Sequence, residues 1–198
     1  MLKNTGFARF LQSFAGRIFS RIPLSPTQIT YGSLVFASAG FLLAYHGQPT
    51  ISLALFVAAG ALDAIDGAVA RERKEESARG AFVDGIMDRL VEFLLVSSFF
   101  FYAIPDFAFP AWLSLVAILF FGSAMTSFTV AYAAHRGVAG SKKTAFPPGI
   151  LPRAERVMLL FISFGLVPSA PSASAILLFF TAILSISTFV QRFHFFLK

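Results

Sequence analysis

Apolar residues fill this chain in six long blocks, about 29–45, 50–71, 80–104, 110–134, 154–171 and 174–196. Each is close to the ~20 residues a helix needs to cross a hydrocarbon core. The interruptions are helix-ending clusters: His46-Gly47-Gln48-Pro49, Pro105-Asp106, Pro110, the stretch from Gly137 to Pro152, and Pro168 to Pro171. The pattern predicts an all-α integral membrane protein, a bundle of six transmembrane helices. Residues 1–24 differ. They space Phe7, Phe10, Leu11, Phe14, Ile18 and Phe19 at helical intervals, with Lys3, Arg9, Arg17 and Arg21 between them. That is the pattern of a basic amphipathic helix lying in the membrane interface, not of a cleavable leader. The expected organisation is a juxtamembrane helix over 1–24 and one membrane domain over 25–198.

Composition strengthens the membrane reading. The chain is 57% hydrophobic and 13% charged, with 26 Phe, whereas a soluble domain carries roughly 25% charged residues. The net charge of +6 would suggest a nucleic-acid partner in a soluble protein, but its distribution says otherwise. Apart from Arg89, the Lys and Arg residues lie before the first block, between blocks two and three, between or at the edges of four and five, or at the end of the chain. The segments near 46–49, 105–109 and 168–173 carry none. Basic residues stay on the side of synthesis, so a multi-pass cell-membrane protein with both termini and the two long loops in the cytoplasm is expected. No nucleic acid is implied. The absence of cysteine excludes thiolate ligands and a Cys nucleophile.

Blocks two and three contain what apolar helices avoid: Asp63, Asp66, Asp84 and Asp88. A carboxylate at the bilayer centre costs roughly 2.5–3.5 kcal/mol on insertion scales, so such residues are candidates for function. Asp63, Asp66, Gly67 and Ala70 share one helical face; Gly80, Asp84 and Asp88 share another. The two blocks are consecutive, so these faces can meet at one depth near the cytoplasmic boundary. Four carboxylates there would repel one another unless divalent cations intervened. All-oxygen ligands favour Mg²⁺ or Mn²⁺ over Zn²⁺. The small residues would let a bulky polar ligand or the neighbouring backbone approach. Plainer readings of the acids are structural pairing with Arg71, Arg79 or Arg89, or an ion pathway in a coupled transporter. Glu92 reads as a structural residue, and His46, His135 and His194 as interfacial or loop histidines.

Asp63-x-x-Asp66-Gly67-x-x-Ala70-Arg71, eight residues, then Gly80-x-x-x-Asp84-x-x-x-Asp88 resembles the signature of the CDP-alcohol phosphatidyltransferase family at every fixed position. Leu24 to Thr30 is similar to that family's Pro-x-x-Ile-Thr entry to the first span. The resemblance implies a phosphotransferase in phospholipid synthesis, usually a homodimer, with a two-metal centre of Mg²⁺ or Mn²⁺ at Asp63, Asp66, Asp84 and Asp88. It implies Asp88 as general base, and a CDP-lipid site at Gly67, Ala70, Arg71 and Gly80, with Pro26 and Thr27 beside it.

The acceptor is read from Lys142, Lys143, Arg153, Arg156 and Arg192. Positive-inside bias covers the loop lysines. It covers less well two arginines on one face at a helix N-terminus, where the dipole disfavours cations; they suggest an anionic ligand such as a phosphate. With Asp88-Arg89, this segment resembles the branch whose acceptor is inositol 1-phosphate. The expected reaction moves the phosphatidyl-type group of CDP-diacylglycerol or CDP-archaeol to inositol 1-phosphate and releases CMP. Glycerol 3-phosphate as acceptor and di-inositol phosphate synthesis are the alternatives.

Overall fold

The computed structural model describes residues 23–138 and 149–197, together with Phe19. The interfacial helix expected over 1–24 therefore lies outside the described residues except at Phe19, Pro23 and Leu24, and so do Lys142 and Lys143. The described residues form six helices: α1 (Pro26–Tyr45), α2 (Pro49–Arg73), α3 (Ala78–Ser98), α4 (Ala111–His135), α5 (Arg153–Leu166) and α6 (Pro171–Leu197). A 3₁₀ turn, Phe99–Phe101, extends α3, and the only extended pairing among them is an isolated bridge between Phe107 and Phe109. The six apolar blocks are thus six helices. By length and composition, however, only four of the described helices can cross a membrane unaided: α1, α2, α4 and α6. Helix α3 contains Arg79, Asp84, Asp88, Arg89 and Glu92. Helix α5 has 14 residues, about 21 Å at 1.5 Å per residue and short of the ~30 Å hydrocarbon layer.

The chain divides into two compact units, Met1–Phe101 and Tyr102–Lys198. In the first, α1 packs along both α2 and α3. Its start is set by a capping box: Ser25 Oγ accepts from the Gln28 amide at 3.2 Å, and Gln28 Oε1 accepts from the Ser25 amide at 2.8 Å. Its buried face is made of small residues, including Ser33, Ala37, Gly40 and Ala44, so α2 comes close. A Cβ on Gly40 would lie 3.2 Å from the Ser52 carbonyl oxygen and 3.3 Å from the Phe56 ring. Ser52 Oγ donates to the Gly40 carbonyl at 2.7 Å, fixing the register of the pair. Helix α2 stops at Lys74, in the left-handed conformation (φ 56°). Three residues later Ser77 caps α3, its hydroxyl accepting from the Gly80 amide at 3.0 Å.

In the second unit α6 is the central helix, packed against α4 and α5. Asp106 Oδ1 accepts from the Ala111 amide at 2.9 Å, satisfying one free amide at the start of α4. Ser163 and Ser174 join α5 to α6 with their hydroxyls 2.9 Å apart. The middle of α4 is not α-helical: Ile118–Met125 is a π-helix.

Candidate metal and nucleotide site

The short link between α2 and α3 makes the acidic positions line up. Asp63 is ten residues from the last residue of α2, and Asp88 ten from the first residue of α3. Both therefore lie about 15 Å along their helices from the turn. The result is a half-buried cluster in which Asp63, Asp84 and Asp88 each bring a carboxylate oxygen within 4.8 Å of the others. Asp66 is not in that group. It is 4% exposed, and its Oδ2 accepts a 2.6 Å hydrogen bond from the Thr30 hydroxyl of α1. Asp88 also has a contact along its own helix, Oδ2 lying 3.2 Å from Arg89 Nη1.

Beside the cluster is a pocket of about 350 Å³. Pro26, Thr27, Gly67, Ala70, Arg71 and Gly80 all line it, and Asp66 and Asp84 stand in its wall. Every position expected to hold the nucleotide-linked lipid thus faces one cavity. Its walls are built by the start of α1, the last turns of α2, the α2–α3 link and the first two turns of α3. The Arg71 guanidinium folds back along α2, so that a Cβ on Gly67 would be 3.5 Å from Nη1. That is ordinary contact; the missing side chain at 67 serves the cavity, not the arginine. Arg73 Nη1 donates to the Leu24 carbonyl at 2.7 Å, tying the end of α2 to the segment that enters α1.

The donor set suits a hard divalent cation. It consists of anionic oxygens, with no thiolate or imidazole in the described cluster. A phosphate-bearing ligand in the pocket would meet the Arg71 fork, the start of a capped helix and such a cation together.

Thr30, in the entry segment Leu24 to Thr30, is part of the site but not among the residues expected there. Neither are Ser25, Glu75, Glu76, Ser77 and Ala81, which complete the wall. The local signal for Ser77 is a Ser before Ala78-Arg79-Gly80, an N-cap pattern not used in placing the site.

The expected acceptor residues that are described lie in the second unit. Arg156 is 4% exposed and packs beside Gly122 of the π stretch. Arg192 Nη1 donates to the Thr126 carbonyl at 3.1 Å. The Leu151 amide donates to Thr188 Oγ1 at 2.9 Å, which holds the segment leading into Arg153 against α6. Arg156 and Arg192 thus both rest against α4, one at Gly122 and one at Thr126.

A model of the CDP-alcohol phosphatidyltransferase family matches residues 24–188. The archaetidylinositol phosphate synthase of Pyrococcus horikoshii is 32% identical over 179 residues, which cover 89% of this chain and 86% of that relative. The solved phosphatidylinositol phosphate synthase of Mycobacterium tuberculosis with CDP-DAG bound shares the fold, with a TM-score of 0.76 at 23% identity over 94% of each chain. In complex with manganese and citrate, that enzyme gives a TM-score of 0.77 at 22% identity, over 94% of this chain and 89% of the other.

Proposed function

The chain belongs to the CDP-alcohol phosphatidyltransferase family, and on that premise we propose that it transfers the phosphatidyl-type group of a CDP-linked lipid to a hydroxyl of inositol 1-phosphate, releasing CMP. The observation that carries the donor half is the cavity in which Gly67, Ala70, Arg71 and Gly80 meet Asp66 and Asp84. The acceptor half is supported by the P. horikoshii relative, an archaetidylinositol phosphate synthase, and by Arg156 and Arg192 gathered on α4.

The residues divide the work as follows. Asp63, Asp84 and Asp88, with Asp66 beside them, would hold Mg²⁺ or Mn²⁺ in a two-metal centre. When bound there, Mg²⁺ or Mn²⁺ would supply charge neutralisation at the diphosphate, which is most of what phosphoryl transfer requires. Arg71 takes phosphate oxygens with its planar fork. Gly67, Ala70 and Gly80 keep side chains out of the cytidine diphosphate volume, and Pro26 and Thr27 close the cavity from α1. Asp88 accepts the proton of the acceptor hydroxyl as its oxygen attacks the lipid-side phosphorus. The bond from that phosphorus to the bridging oxygen breaks, and CMP leaves with the electron pair. Arg153, Arg156 and Arg192, with Lys142 or Lys143, hold the phosphate of the acceptor.

Topology belongs to the same proposal. All six helices cross the membrane, with both termini and the site on the cytoplasmic side. The confinement of nearly every Lys and Arg to alternate connections supports this. Helix α3 is tolerated because its carboxylates face the site and a cation, not lipid. The 1–24 segment lies in the interface as an amphipathic helix, and the active species is a homodimer, as the family resemblance implies.

The test is product formation by purified protein with Mg²⁺, CDP-diacylglycerol or CDP-archaeol, and each acceptor in turn. The expected product is the lipid-linked inositol phosphate, with CMP released in equal amount. Equal use of unphosphorylated inositol or serine, or a preference for glycerol 3-phosphate, would overturn the acceptor assignment. No CMP release with any acceptor would overturn the whole reading.

A further inference from the structure

Helix α4 is interrupted at its middle by the π-helical stretch Ile118–Met125. π-helical turns are rare inside α-helices and occur frequently at functional sites. Here the widened stretch contains Gly122. A Cβ on Gly122 would lie 2.9 Å from Ser185 Oγ of α6, 3.0 Å from Arg156 Cδ and 3.2 Å from Arg156 Nε of α5. These separations are inside van der Waals contact, and neither neighbour is a loose chain end. Arg156 is 4% exposed and Ser185 is fully buried; the Ser185 hydroxyl donates to the Thr181 carbonyl at 2.7 Å. The same turn also meets the second arginine. The Thr126 hydroxyl donates to the Gly122 carbonyl, and the Thr126 carbonyl accepts from Arg192 Nη1 at 3.1 Å. One stretch of α4, residues 122–126, therefore carries Arg156 at one end and Arg192 at the other.

Close helix packing alone would explain a glycine opposite a serine. It does not explain why the same point also seats the buried Arg156 side chain, whose Cδ and Nε press on the absent Cβ of Gly122 from a third helix. We propose that Gly122, seated in the π turn, is a positioning residue for the acceptor phosphate: it lets the Arg156 side chain lie flush on α4 and so sets the spacing of Arg156 from Arg192. Gly122 is then a specificity-determining position for phosphorylated acceptors, although it presents no side chain to them. This inference rests on the reading that Arg156 and Arg192 bind the acceptor phosphate.

The experiment is steady-state kinetics with inositol 1-phosphate varied at saturating CDP-lipid, on Gly122→Ala, Arg156→Ala and the double variant. Gly122→Ala is expected to raise the acceptor KM about tenfold, to leave the CDP-lipid KM within about twofold, and to add nothing to Arg156→Ala in the double variant, because coupled sites are not additive. A Gly122→Ala acceptor KM that does not move, or that multiplies fully with the Arg156→Ala effect, overturns the inference. If Arg156→Ala raises the KM in that same experiment, the proposed acceptor site still stands. If Arg156→Ala leaves the acceptor KM unmoved, it is the acceptor site that fails, and the inference with it. Should Gly122→Ala not fold in detergent, Ser185→Thr adds a methyl group from α6 beside the same point. It is expected to raise the acceptor KM in the same direction, and an unchanged KM in a folded Ser185→Thr protein overturns the inference.

Discussion

Three carboxylate oxygens within 4.8 Å, on Asp63, Asp84 and Asp88, repel one another in the absence of a cation. The repulsion at this spacing weakens the metal-free protein, so neutralising one member is expected to cost function without costing the fold. Asp63→Asn and Asp84→Asn should each lower CMP release by about a thousandfold or more, the loss expected when a metal's transition-state charge stabilisation is removed. Their thermal unfolding in metal-free detergent should occur at or above the wild-type temperature. Asp88→Asn should lower kcat by about 10²–10⁴, the range for a missing general base, with a smaller change in CDP-lipid affinity. Thr30 acts one step further out. Thr30→Val keeps the shape but removes the 2.6 Å donor to the buried Asp66 carboxylate. A partner of a candidate metal ligand lost in this way is expected to raise the Mn²⁺ concentration for half-maximal activity about tenfold, and Thr30→Ser should restore it. Mn²⁺ titrations of the three proteins decide; identical midpoints would mean that Thr30 does not orient the site.

Helix ends do the positioning in the first unit. The Ser25 capping box, the left-handed Lys74 and the Ser77 cap fix where α1, α2 and α3 begin and stop, and the pocket is walled by those ends. The lateral position of α2 depends on Gly40, which admits Ser52 and Phe56 at 3.2 and 3.3 Å from its absent Cβ. Gly40→Leu should therefore destabilise the protein by about 1–3 kcal/mol, the usual effect of overpacking. Thermal unfolding in detergent measures it, and a variant as stable as wild type would show that the two helices are free to separate. The two Ser caps have local signals, Ser-Pro-Thr-Gln and Ser-Ala-Arg-Gly, that the six-block pattern does not use. The π stretch of α4 has none: Ile118–Met125 reads as ordinary apolar helix, and nothing in its spacing signals an extra residue in the turn.

On the scale of the chain, two properties can be tested without altering the site. EDTA should abolish CMP release, and Mg²⁺ or Mn²⁺ should restore it better than Zn²⁺, since the candidate ligands are all oxygen. Activity that survives EDTA would remove the metal from the mechanism. Orientation is open to cysteine labelling because the chain has no cysteine of its own. Gln48→Cys and Ser169→Cys, both at exposed positions, should react with an impermeant maleimide on intact cells. Val138→Cys, also exposed, should react only after lysis. The reverse pattern would invert the topology, and labelling of all three from outside would leave fewer than six crossings.

Six apolar blocks, their separation by Pro and Gly, and the spacing of four aspartates were all present in the order of residues, because helical periodicity and chain breaks are local. Those features determined an all-helical membrane protein, and the fixed spacing from Asp63 to Asp88 determined its family. The sequence could place the acids on two faces of adjacent helices, but not decide which of them share one cation-sized space. That depended on the length of the α2–α3 turn and on α1 packing along both helices. It brought Asp63, Asp84 and Asp88 together and turned Asp66 toward Thr30, thirty-six residues away. The same holds for Gly122, Ser185 and Arg156. They stand on three helices, far apart in the chain, and only their packing makes a glycine the neighbour of a buried arginine.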